Sequence, residues 1–229
     1  MNNLSTYIIE KLKINKDIKV KEYNYHPKDK YELITLLKEL LEERGKDADL
    51  NDIDVSNVTN MYGLFIDLDP HNINISKWNV SNVKNMGSMF YDCKNFNSDI
   101  SRWNVSNVED MGFMFYTCKN FNSDISKWNV SKVKDMQIMF AGCENFNSDL
   151  SNWDVSKVTS MYYMFGSCKN FNSDLSKWDV SNVKNMESMF YNCENFNSDL
   201  NKWNVSSVKN MHFMFGKCNS LKNKPSWYK

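Results

Sequence analysis

The sequence predicts an α/β repeat solenoid in which each 25-residue coil carries one short parallel strand and one short helix, closed at its N-terminal end by an α/β cap. Three observations predict it. Trp78, Trp103, Trp128, Trp153, Trp178 and Trp203 recur every 25 residues with Met, Phe and Cys following in phase, and a fixed period of this length marks a stacked-repeat architecture. The spacing Φ-x-x-Φ-x-Φ-x-x-Φ, as at Ile100, Trp103, Val105 and Val108, also starts at Leu50, Ile75, Ile125, Leu150, Leu175 and Leu200, giving seven units over residues 50–229. Residues 1–49 lie outside the period and carry patterns of their own.

In chain order, the cap comes first. The stretch "IKVKEYNY" alternates apolar and polar residues as a strand does. "DKYELITLLKELLEERG" opens with Asp29 and Glu32 in a capping-box arrangement and closes on Gly45. Its Leu33, Leu36, Leu37, Leu40 and Leu41 make an apolar stripe suited to cover the first coil. Within each unit, Trp103 and Val105 stand two apart, the spacing of a strand with inward side chains. Met111, Met114, Phe115 and Cys118 recur at helical spacing. The residue ahead of the first Met is Asn60, Asn85, Asp110, Asp135, Ser160, Asn185 or Asn210, the set that caps helix N-termini. "NFNSD" then turns the chain back, Phe96 inward and Asn, Ser and Asp satisfying backbone. One strand per unit with a constant return path implies a parallel, right-handed coil. Pro225, in the place of Ile100 and Leu200, ends the sheet because it has no N–H to donate.

Composition narrows the partners. The 229 residues carry 28 basic and 28 acidic side chains, so no net field draws the chain to nucleic acid or an anionic membrane. Hydrophobic residues make up 41%, enough for a core. No apolar run approaches the ~20 residues of a membrane helix. Glu10, Lys11 and Lys13 follow the apolar run at Tyr7 too closely for a signal-peptide core, so the chain as written reads as cytoplasmic.

The strand signature at Leu50 and Ile100, with "MFYDCKNF", resembles leucine-rich repeats of the BspA type, and the unit "WNVSNVxxMxxMFxxCxxFNSDIS" is similar to the repeat of bacterial BspA-like surface proteins. The resemblance runs from about Leu50 to the C-terminus. It implies a leucine-rich-repeat-like solenoid, binding rather than catalysis, and a place on the cell surface. In that spacing the Trp position points inward, and Ile53 replaces Trp in the first unit. Trp therefore reads as core rather than as an exposed ladder for sugars.

Other residue types with chemical potential read the same way. Cys93, Cys118, Cys143, Cys168, Cys193 and Cys218 share one position that Leu68 fills in the first unit. They are expected to be buried free thiols, with disulfides between neighbouring coils as the rival. Asn79, Asn104, Asn129 and Asn204 exchange with Asp54, Asp154 and Asp179, which points to a shared acceptor oxygen in an Asx-type bond. His26, His71 and His212 stand in unrelated contexts, and Asp99, Asp124, Asp149, Asp174 and Asp199 read as turn residues. No phosphate loop, nucleophile elbow or metal motif occurs. The expectation is a non-enzyme without cofactor or metal.

A partner is expected where units differ. Between the Met residues stand Gly112-Phe113, Gln137-Ile138, Tyr162-Tyr163, Glu187-Ser188 and His212-Phe213, with Tyr91, Tyr116 and Tyr191 nearby. Phe113, Tyr116, Tyr162, Tyr163, Tyr191 and Phe213 are thus candidates for a protein-binding surface on the helix side; packing between helices would explain them as well. The alternative is the sheet face, where Arg102, Lys127, Lys177 and Lys202 repeat at one position and suit a glycan or polymer. The function expected is binding of another protein, with a structural or filament-forming scaffold second and a carbohydrate or adhesion surface third.

Overall fold

The structure, a computed structural model, describes residues 23–229. Successive 25-residue units lie one on another. Isolated parallel bridges run Asn60–Asn85, Asn85–Asp110, Asp110–Asp135, Asp135–Ser160, Ser160–Asn185 and Asn185–Asn210, each joining a residue to its equivalent 25 positions on.

Among the described residues the one helix is α1, Lys30–Arg44. Asp29 accepts the backbone N–H groups of Tyr31 and Glu32, and Glu32 reaches back to the N–H of Lys28. Gly45, at φ 84°, ends it and donates to the Leu41 carbonyl. Leu33, Leu37, Leu40 and Leu41 are buried in the same apolar cluster as Leu50 and Ile53, and Leu36 is packed against it. Of the strand expected over "IKVKEYNY", residues 18–22 lie outside the described residues. Its last residue, Tyr25, bridges in parallel to Ile53.

The units hold neither the helix nor the strand that the spacing predicts. Residues 111–118 form consecutive turns: Met114 N–H bonds Met111 O, Tyr116 bonds Phe113 O, and Cys118 bonds Phe115 O. The intervening N–H groups of Met111, Phe113, Phe115 and Thr117 donate instead to Asp135, Gln137, Met139 and Ala141 in the next unit. Alternate donors therefore serve the turn and the stack. A helix would send every N–H along its own axis and leave the next unit's carbonyls unmatched. Asp110 does accept an N–H, that of Gly112 two residues on, but as an Asx turn. The Φ-x-x-Φ spacing is also a turn spacing: Trp103 N–H bonds Ile100 O and Val108 N–H bonds Val105 O. Parallel pairing falls at Asp110 rather than at Trp103, whose N–H is taken by the Ile100 carbonyl.

Side chains tie the units elsewhere. Each Trp donates its indole N–H to a carbonyl of the preceding unit, as Trp103 to Ile75, Trp128 to Ile100 and Trp153 to Ile125, all at 3.1 Å. The indoles stack, with Trp103 and Trp128 centroids 6.5 Å apart and planes within 2°. In the first unit Ile53 stands in the Trp place and bridges to Tyr25. Beside the Trp column run Phe90, Phe115, Phe140, Phe165 and Phe190, neighbours 5.6 to 5.7 Å apart. Ser148 and Ser173 accept the N–H groups of Ile125 and Leu150, 23 residues earlier in the chain. Ser98 departs from this: its buried hydroxyl has no partner among the described residues.

All six cysteines are free. Cys118, Cys143, Cys168 and Cys193 donate S–H to Phe90, Phe115, Phe140 and Phe165 carbonyls at 2.8 to 3.0 Å, and burial pushes their thiols well above the usual range. Cys218, in the last unit, is less buried and is pushed up only to about 11. In native protein a thiol reagent is expected to modify Cys218 first and the others only on unfolding, when six react. Recovery of two or fewer from unfolded, unreduced protein would contradict free thiols.

Candidate binding face

The turns of residues 111–118 need backbone that most residues avoid. The third residue of the first turn and of the last takes a positive φ, as a type II turn requires, and this places two left-handed residues on the turns of every unit. The later position holds Asp67, Asp92, Thr117, Gly142, Ser167, Asn192 and Lys217, mostly short or polar. The earlier one holds Gly63, Ser88, Phe113, Ile138, Tyr163, Ser188 and Phe213. Phe113 at φ 60°, Ile138 at 58°, Tyr163 at 50° and Phe213 at 54° are large side chains in a region that costs a non-glycine residue about 1–2 kcal/mol. A β-branched residue is least suited to it.

These side chains lie partly open to solvent. Phe113, Ile138 and Tyr163 are half-buried, while Phe213 is 68% exposed. Phe113 meets Tyr116 edge-on at 6.3 Å, and Tyr116 lies 4.8 Å from Tyr91. A second group joins Tyr162 to Tyr163 at 6.2 Å and Tyr163 to Tyr191 at 6.4 Å, with the Lys217 ammonium 5.4 Å above the Tyr191 ring. Glycines make the room: a Cβ on Gly166 would fall 2.3 Å from the Tyr163 ring, and one on Gly216 would fall 2.7 Å from Tyr191. The six sequence candidates thus separate into a Phe113 group, a Tyr163 group and Phe213, on a column of turns rather than on helices.

Sequence reasoning missed the other end of this column. Tyr62 and Ile66 are exposed, as is Tyr31 of α1, and the Lys30 ammonium lies 5.3 Å from the Tyr31 ring and 5.7 Å from that of Tyr62. Tyr62 occupies the same place in its unit as Tyr162, so the signal was present in the period.

The alternative candidates Arg102, Lys127, Lys177 and Lys202 are exposed. Their neighbours are the exposed Asp99, Asp124, Asp174 and Asp199, held below the usual carboxylate range by the Ser or Asn two residues on. A shallow cleft of about 370 Å³ here is lined by Asp174, Ser176, Asp199 and Lys202, among others. Carboxylates and ammonium groups interleave on this face, so it offers no single-sign field. Asn104, Asn129, Asp154 and Asp179 each accept the N–H two residues on, as an exchangeable oxygen acceptor requires.

Described as "Mycoplasma protein of unknown function, DUF285", one family matches residues 35–140 and again residues 118–228. The chain belongs to the DUF285 family. No curated protein and no solved structure matches it. The DUF285 matches begin inside α1 and together take in every unit, so this is a repeat protein over most of its length. Among the described residues, no helix of this DUF285 protein is long and apolar enough to cross a membrane.

Proposed function

We propose that this chain is a non-enzymatic repeat solenoid of the BspA-like leucine-rich-repeat kind, with residues 1–49 as its cap, and that it binds another protein through its turn column. The observation that carries this reading is the placement of Phe113, Ile138, Tyr163 and Phe213 at left-handed positions. Glycine or asparagine would serve the fold there at lower cost. Backbone strain retained under a partly exposed aromatic side chain supports a role for that side chain outside the fold. Grouped aromatic residues are also what protein interfaces favour. The face changes from unit to unit, which suits one particular partner better than a repetitive polymer.

The test compares three forms of the protein in pull-downs from the native cell. Partners captured by wild type are expected to be lost by the Tyr162→Ser, Tyr163→Ser, Phe213→Ser variant, since each true anchor contributes about 2 kcal/mol or more. The Lys127→Gln, Lys177→Gln, Lys202→Gln variant is expected to keep them. The reverse outcome would move recognition to the charged face and to a repetitive ligand such as a glycan.

A further inference from the structure

We propose that copies of this chain associate head to tail, the open edge of the seventh unit in one copy seating against the outer face of α1 in the next. The sixth unit shows what such an edge needs. Its Met186, Ser188, Phe190 and Asn192 N–H groups donate to Asn210, His212, Met214 and Gly216 of the seventh. The equivalent donors of the seventh unit, Met211, Phe213, Phe215 and Lys217, have no acceptor among the described residues. Beside them Met211, Phe213 and Tyr228, flanked by His212, Lys224 and Lys229, line a groove of about 470 Å³. A row of unpaired donors next to exposed apolar surface is a template for pairing.

Charge selects the occupant. The chain is neutral as a whole, yet the seventh unit and the segment around α1 are opposite in sign. Residues 200–229 hold six lysines and no carboxylate, whereas residues 29–54 hold nine carboxylates against four basic side chains. On α1 the exposed Glu39, Glu42 and Glu43 lie away from the buried leucines, and Tyr31 at the helix start is 74% exposed. Tail-to-tail contact would oppose lysine to lysine and donor to donor; head-to-head contact would oppose carboxylates. Only head-to-tail contact matches the signs, and a heterologous contact of that kind is open-ended. It takes up Phe213 and leaves the Phe113 and Tyr163 groups uncovered, and the test below changes lysines and glutamates only, so it does not depend on the binding role proposed above.

Sedimentation velocity of the full chain over a range of concentrations tests it. At low ionic strength the mass is expected to rise past that of a dimer as concentration increases, and added salt should reverse the rise. Lys217→Glu, Lys224→Glu, Lys229→Glu in one variant, and Glu39→Lys, Glu42→Lys, Glu43→Lys in another, should each be monomeric alone, while an equimolar mixture regains association because every end again meets its opposite. The salt series on wild type needs no variant to fold. A chain that stays monomeric at low salt, a mass that stops at the dimer, or association that salt and both variants leave unchanged would overturn the proposal.

Discussion

Trp128→Ala is expected to destabilise the protein by about 4 kcal/mol, the scale for truncating a fully packed aromatic residue. Trp128 sits in mid-stack, 4% exposed, stacked on Trp103, with its indole N–H on the Ile100 carbonyl. At about 2–4 °C per kcal/mol for a chain of this size, the melting temperature should fall by roughly 10 °C. Trp128→Phe keeps a ring but loses the donor, so its expected cost is about 1 kcal/mol for the lost hydrogen bond, the Ile100 carbonyl keeping the Trp103 N–H. A Trp128→Phe variant as stable as wild type would show that the indole hydrogen bond contributes nothing, and equal losses for the two variants that the ring packing contributes nothing. Thermal melts of both variants decide this.

The second large effect belongs to α1. Removing residues 1–49 strips Leu33, Leu37, Leu40 and Leu41 from the first unit's apolar end, where Leu50 and Ile53 are fully buried. The truncated chain is expected to aggregate, since a stack of repeats exposes its core wherever a terminal cover is missing. Leu37→Asp makes the same point with one side chain: a carboxylate at a fully buried leucine position leaves a charge without a partner. Size-exclusion chromatography of either form should show loss of the monomer peak. A monomeric truncation as stable as the whole chain would remove α1 from the account.

The core was legible in the sequence because each inward position repeats one residue type. Trp, Val, Met, Phe and Cys at fixed phase are the residues that the structure buries, from Trp78 to Phe215. The helix α1 was legible for a different reason, since Asp29, the leucine stripe and Gly45 are local signals that agree with one another. What the sequence hid was the conformation between Asp110 and Cys118. Spacings of three and four residues suit a helix, but consecutive turns give the same spacing, and Asp or Asn opens an Asx turn as readily as a helix. The deciding clue lay in the turn formers Gly63, Asp67, Asp92, Gly142 and Asn192 at left-handed places. Phe113, Ile138, Tyr163 and Phe213 at equivalent places masked it. The residues that obscured the fold are therefore the candidates for function, as expected where local preference and structure conflict. The ring contacts and exposure of this face depend on how the turns stack, which no single unit's sequence specifies.

The most direct test of that link needs no partner in hand: the thermal stability of Phe213→Gly. Phe213 is 68% exposed at φ 54°, so the variant gives up little buried surface and relieves left-handed backbone. Relief of about 1–2 kcal/mol, less about 0.5–1 kcal/mol for the greater freedom of unfolded glycine, predicts a melting temperature about 2 °C higher. A fall of several degrees would mean that Phe213 is held there by packing, and the strain would no longer point to recognition.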